Sequence, residues 1–319
     1  MTEFSKLDIQ KARNDLARWY KNQTPNWLIS KNLELLKDDL AVDPSAPITN
    51  LLYKIRANFT ELSLAQHVIK KDVKSLVQNL SIAGRFGYML RVVGGEKYAV
   101  SDCIHVFDLF KMLAANDMVC VNKTIDKIQP PFKQGHPDTR MLCAGVYTVL
   151  GKHDNPELII EKLSKDSSSK FFTAMQQCLL AIINKDEQAF YDQLTIICKS
   201  NRQQQFHISM EKLVCIEAHA MVKLWELTHY KMTQKLSALP ISWLQELYDY
   251  NHKNTTMELL DFDNESKVLN QWMHELPEEF DPQLLKNELK ETFIKHFTRR
   301  FKNSRRRSKL QQNTFKKLG

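Results

Sequence analysis

Glycine and proline are scarce in this sequence: it holds 8 and 10 of them in 319 residues, and neither Asn-Gly nor Asp-Gly occurs. Hairpin turns draw on those dipeptides, so an all-β chain is excluded. Cys-x-x-Cys pairs are missing too. The six cysteines, Cys103, Cys120, Cys143, Cys178, Cys198 and Cys215, are scattered, most of them among aliphatic neighbours, and read as small core hydrophobes in a reducing cytosol. No stretch approaches the ~18 uninterrupted apolar residues of a membrane-spanning helix. The opening MTEFSKLDIQKARNDLARWY has acidic residues where a secretory leader needs a basic start and an apolar run of about 7–15 residues. A cytoplasmic chain without membrane association is expected. Phosphate loops are absent as well: Gly84-Arg-Phe-Gly87 and Gly94-Gly95 have the wrong spacing for GxGxxG, and no Gly-Lys-Ser/Thr follows.

What is present is helical periodicity. Hydrophobic residues make up 43%, enough for a full core. Over 60–82, Leu62, Ala65, Val68, Ile69, Val73, Leu76, Val77 and Leu80 recur at helical steps, which predicts one amphipathic helix. The following 83–100 carries four of the eight glycines and is expected to be a bend or a short extended piece. Helices are expected over 98–115, 117–128, 139–151, 156–164, 170–184 and 187–199, then a long one over 207–236, apolar nearly all round, in mid-core.

Three joints between these helices are alike, with Asp117, Asp154 or Asn155, and Asp186 placed to cap the next helix, and Pro156 in a first turn. The three Asp positions lie 37 and 32 residues apart, a spacing typical of stacked helix hairpins, although the tetratricopeptide signature residues are missing. The expected fold is all-α: antiparallel helix hairpins as a solenoid-like array or an irregular bundle, with a basic C-terminal helix. Its regions are an N-terminal helical part over 1–95, a hairpin domain over 96–280 and an amphipathic basic end over 281–319.

Two constellations hold residue types that could carry chemistry. Glu217, His219, Glu226 and His229 share the long helix, and His219 and Glu226, seven apart, share a face. They lack the i, i+4 ligand spacing of HExxH, so buried hydrogen-bonding groups are the simpler reading. The loop IQPPFKQGHPDTRMLC brings His136, Asp138, Arg140 and Cys143 close in sequence. A nucleophile and its base must meet in space, and the simpler reading is a proline-stiffened connection with Asp138 or Thr139 capping the next helix. Trp19, Trp27, Trp225, Trp243 and Trp272 have no basic residues interleaved and read as core and corner anchors rather than a base-stacking platform. No catalytic residue, metal ligand or cofactor is assigned.

The end of the chain is unlike the rest. From Lys295 onward there are ten Lys or Arg and no Asp or Glu, leaving 35 basic against 37 acidic residues over 1–294. Asp281 and Pro282 are placed to start a helix with Leu285, Leu289, Phe293, Phe297 and Phe301 along one edge. Beyond it the apolar positions thin out, too few to offset an ordering cost of about 1–2 kcal/mol per residue, and mobility is expected there. Arg299, Arg300, Arg305, Arg306, Arg307 and Lys309 are the candidate contacts to phosphate or to an acidic partner.

The pieces DLFKMLAANDMVCVNKTI, KFFTAMQQCLLAIINKDEQAFYDQLTIICKSNR, SMEKLVCIEAHAMVKLWEL and LSALPISWLQELY, the last with Leu239, Pro240 and Trp243, follow one another between about Asp102 and Tyr250. In order and texture this succession resembles the immunity protein 49 family of bacterial polymorphic toxin systems. The resemblance covers roughly half the chain. It implies a helical, non-enzymatic, cytoplasmic protein that binds a cognate toxin and neutralises it in bacterial competition. Immunity proteins against nucleases are often acidic where they meet a basic enzyme, a property this chain shares only if its acidic residues gather on one surface. The alternative is a helical nucleic-acid-associated protein using the basic tail for phosphate contacts.

Overall fold

Thr24 caps the first helix, α1 (Pro25–Val42), by accepting a hydrogen bond from the Trp27 N–H at 3.2 Å, and Pro25 occupies its first turn. The computed structural model describes residues 23–94 and 102–291, apart from 131, 133–134, 166–168, 202–213, 230–232, 235, 237–243 and 255–256, with 10, 14, 17, 18 and 20 in addition. Every regular element among the described residues is helical.

The expected helix over 60–82 is instead a hairpin. Helix α2 (Thr49–Lys70) ends at Lys71, whose φ of 54° is left-handed, and α3 (Val73–Gly94) starts one residue later. Asp72 accepts from the Ser75 N–H at 3.0 Å and from its hydroxyl at 2.6 Å, a capping signal that the continuous apolar stripe concealed. The expected bend at 83–100 is also corrected as far as Gly94, and 95–100 lie outside the described residues. Helix α3 runs straight through Gly84 and Gly87 because both sit where α4 (Asp102–Ala114) crosses it. A Cβ on Gly84 would lie 2.5 Å from Met112 Cγ, and one on Gly87 would lie 2.4 Å from an Asp108 carboxylate oxygen. These glycines permit close approach of two helices.

Left-handed corners followed by aspartate recur. Asn116 (φ 59°) and Asp117 separate α4 from α5 (Met118–Lys127), and Asp117 accepts from the Cys120 N–H at 3.2 Å. Lys185 (φ 59°) and Asp186 separate α8 (Lys170–Asn184) from α9 (Glu187–Asn201), and Asp186 accepts from the Ala189 N–H at 2.9 Å. In both, the aspartate N–H returns to a carbonyl five residues back, Met112 or Ala181, which closes the preceding helix.

The third expected joint differs. Between α6 (Pro137–Val149) and α7 (Pro156–Leu163), Gly151 takes the left-handed turn, Asn155 makes no capping bond through its side chain, and the Asn155 N–H goes to His153 Nδ1 at 3.1 Å. At α6 the cap is His136, whose Nδ1 accepts from the Asp138 N–H at 3.3 Å, rather than Asp138 or Thr139.

The mid-core helix is α10 (Ile216–Thr228), much shorter than 207–236. Cys215 and His229 are extended at its two ends. The His229 ring bonds the Ile182 carbonyl at 2.6 Å, and Glu187 captures the N–H groups of Thr233 and Gln234 at 2.6 and 3.0 Å. Tertiary partners outbid helical continuation here. Then come α11 (Leu244–Lys253), an irregular stretch over 257–262, α12 (Lys267–Glu275) and a helical run over 282–291. Asp281 caps that last run through the Gln283 N–H at 2.9 Å, as the sequence predicts. The basic residues from Lys295 onward lie outside the described residues.

One hydrophobic cluster extends from Leu28 to Leu289, with α10 between α4, α8, α9 and α11. Each aliphatic or aromatic side chain fully buried in it contributes about 1.5–3 kcal/mol. Cys120, Cys143, Cys178, Cys198 and Cys215 are buried free thiols within this core. Trp225 and Trp272 are buried as expected, whereas Trp27 is 42% exposed. Trp19 and Trp243 lie outside the described residues.

Candidate functional site

Charged groups concentrate in two places, inside the scaffold and along one outer flank. The inner set begins with Asp108 on α4, in the niche that Gly87 leaves open. It accepts from Arg56 Nη1 on α2 at 3.0 and 3.2 Å and from Lys111 Nζ one helical turn away at 2.8 Å. The Arg56 guanidinium also lies 5.1 Å from the Tyr53 ring centre. Nearby, Arg85 of α3 grips Asp117 through two bonds at 2.7 and 2.9 Å, and Asp117 also takes the Ser81 hydroxyl. The same guanidinium reaches the Met273 carbonyl at the end of α12, 2.7 Å away. The α4–α5 corner is thereby tied to α3 and to the C-terminal part of the chain.

The polar face of α10 adjoins this set. Burial pushes the Glu217 carboxyl up, against hydrogen bonding and the Lys111 charge. His219 is driven down to about 3 by burial and by neighbouring His67, and His67 falls to about 4 through burial, opposed by Asp72. Both imidazoles are therefore neutral in neutral solution. Further along, burial raises Glu226 despite Lys223 and His252, and lifts Tyr248 to about 12 with help from the Glu226 charge. His219, Lys223, Glu226, Tyr248 and Asn251 border a cavity of about 10 Å³, room for one water. His219 and Glu226 thus share a face, as their spacing predicts.

His229 is turned away from them to α8, so the four residues do not converge. Among the described residues, no group of three or more His, Cys, Asp or Glu is placed to hold a metal ion.

The loop candidates separate in the same way. His136 is exposed at the start of α6, its Nδ1 3.6 Å from Asp138 Oδ2, while Cys143 is buried two turns further along the helix, roughly 10 Å by helical rise. They do not form a nucleophile and base. The thiols of Cys120, Cys178 and Cys215 are pushed well up by burial, which suppresses thiolate chemistry. A cleft of about 180 Å³ between Lys74, Gln78, Asn116, Tyr250, Asn254 and Glu258 is bridged by the Lys74–Glu258 ion pair at 2.6 Å.

The outer flank is formed by α1 and the stretch over 257–291. Asn26 donates to the Glu265 carboxylate at 3.1 Å, and Lys286 Nζ to the Pro44 carbonyl at 3.3 Å, so the two segments lie side by side. Glu34, Asp38, Asp39 and Asp43 are exposed on α1 and at its end. The adjoining 257–291 holds ten Asp or Glu against three Lys, most of the acids exposed. Sequence reasoning about the basic tail missed this acidic run directly before it, although a sliding charge count would have found it. Arg299, Arg300, Arg305, Arg306, Arg307 and Lys309, the candidate contacts of the sequence, lie outside the described residues.

No family model, curated protein or solved structure matches the chain. No described helix is long and apolar enough to cross a membrane.

Proposed function

We propose that this chain is a stoichiometric protein inhibitor, an immunity protein that neutralises a cationic toxin in the cytoplasm by covering its active surface. The acidic flank carries the reading: the exposed Glu34, Asp38, Asp39 and Asp43 adjoin a stretch that holds ten acids against three Lys, a balance of the sign that recognition of a basic protein requires. The inner charges support it, because Asp108, Asp117, Arg56 and Arg85 spend their bonds holding helices together. A rigid helical body of this kind acts by shape rather than by catalysis, and a tight complex needs an interface of about 1,600 Å².

Co-expression with a toxin encoded by an adjacent reading frame, where the gene has such a neighbour, tests the proposal. Growth should be restored and a 1:1 complex recovered, and replacing Glu34, Asp38 and Asp43 with Lys should abolish both. Unprotected growth with no complex for the wild-type chain rejects it.

The second reading rests on the ten basic residues from Lys295 onward, which suit non-specific phosphate contacts. Removing 299–319 distinguishes the two: salt-sensitive DNA or RNA retention is lost if nucleic acid is the partner, whereas protection against a toxin persists if inhibition is the function.

A further inference from the structure

The outer face of α1 is unusual for a helix exposed to solvent. Leu28, Ile29, Leu33 and Leu36 are buried on its inner side, yet Trp27, Leu35 and Val42 are 42%, 41% and 89% exposed on the other. Steps of eight and seven residues place these three within about 100° of one another, with Lys31, Glu34 and Asp38 interleaved. This is an apolar stripe set in acidic surroundings.

The described chain ends on the same flank. Lys286 is held at Pro44 and Glu288 at the start of α12, where its carboxylate accepts from the Lys267 N–H at 2.8 Å. The next turn reaches Glu291, and the sign of the charge then reverses. The stretch 257–291 has ten acidic and three basic residues, whereas 295–319 has ten basic and none acidic. The basic stretch also carries Phe297, Phe301, Leu310, Phe315 and Leu318, apolar groups to set against Trp27, Leu35 and Val42.

We propose that residues 295–319 dock on the outer face of α1 and the acidic run beside it. Reach is sufficient. Helix α1 is about 27 Å long, and 25 residues span at least ~37 Å even in helical form. Tethering makes the contact intramolecular, at an effective concentration in the millimolar range, so weak exposed ion pairs suffice in number. Screening by salt weakens the contact.

Carbodiimide coupling of the full chain at low salt, mapped by mass spectrometry on an equal mixture of ¹⁵N-labelled and unlabelled protein, tests this without any toxin, independently of the inhibitor reading. Lys302, Lys309, Lys316 and Lys317 are expected to couple to Glu34, Asp38, Asp39, Asp43, Glu278 or Glu279 within one molecule. Yields should fall at least fivefold in 1 M salt, in the E34K/D38K/D43K variant, and in R305Q/R306Q/R307Q. Coupling of those lysines mainly to Glu157 and Glu161 of α7, coupling only between copies, or yields unchanged by salt would overturn it.

Discussion

The crossing of α3 and α4 and the flank made by α1 with 257–291 use the same residue types to opposite ends. At the crossing, Gly84 and Gly87 let two helices close until the charges between them are dry, and each carboxylate is matched by a guanidinium or ammonium. On the flank the carboxylates face water and outnumber the cations. A charge removed from solvent holds the fold together only when its partner is fixed, whereas a charge left in solvent contributes little to stability and remains available to another chain. The crossing is therefore read as scaffold and the flank as surface for recognition.

The largest expected effect breaks the crossing. Arg85→Met leaves Asp117 buried without its guanidinium, with side-chain exposures of only 4% and 1% for the pair, and should cost about 3–5 kcal/mol in urea unfolding. Lys31→Met on the flank, which removes only a cation above the Trp27 ring at 4.8 Å, should cost less than about 1 kcal/mol. Equal losses would erase the distinction between the regions.

Acid should act on the interior next. His67 and His219 are depressed from 6.5 to about 4 and about 3. A depressed group contributes stability that is present above its unfolded value and lost as pH falls through the folded one. The urea midpoint should therefore decline from pH 6.5 toward pH 4, at roughly 1.4 kcal/mol per pH unit per histidine. His219→Asn should flatten that decline. Glu217 has the opposite sign: its raised carboxyl contributes stability that is present in acid and lost as pH rises through the folded value, so Glu217→Gln should gain stability in neutral solution and show no difference near pH 4. A midpoint that stays level from pH 6.5 to 4 in the wild-type chain would falsify the claim that these imidazoles are buried and neutral.

Gly87→Ala sharpens the comparison further. Its new methyl meets the fixed Asp108 carboxylate, and about 1–3 kcal/mol should be lost. Gly84→Ala meets the flexible Met112 side chain instead and should lose less. If the two are equivalent, the crossing is not organised around the Asp108 niche.

The helical class and most helix positions were legible because apolar period and capping residues are local signals. Expected spans such as 170–184 and 187–199 fall on α8 and α9 almost residue for residue. The α2–α3 hairpin was hidden because Val68, Ile69, Val73 and Leu76 keep one stripe through the corner, and only Asp72 and Ser75 mark the break. Gly84 and Gly87 read as a bend because sequence shows a missing side chain without showing what fills the space. The long mid-core helix was overextended because the bonds that end it, from His229 to Ile182 and from Thr233 to Glu187, come from residues more than forty positions away. The flank eluded the sequence for a related reason: α1 and 257–291 are far apart in the chain and become neighbours only once Asn26 meets Glu265 and Lys286 meets Pro44.

The smallest expected effect concerns the corners. Asp186 accepts a backbone N–H at 2.9 Å, so Asp186→Ala should lose about 1 kcal/mol, as for other capping residues. In the α6–α7 joint Asn155 precedes the first helical residue without a side-chain cap, and the ring of His153 takes its N–H, with Asp154 between them. Asp154→Ala should therefore leave the thermal midpoint unchanged, while His153→Ala lowers it. The reverse ranking would mean that the aspartates act alike at every joint, and the left-handed corner followed by a capping Asp would then be a uniform repeat rather than a device used at three joints and replaced at a fourth.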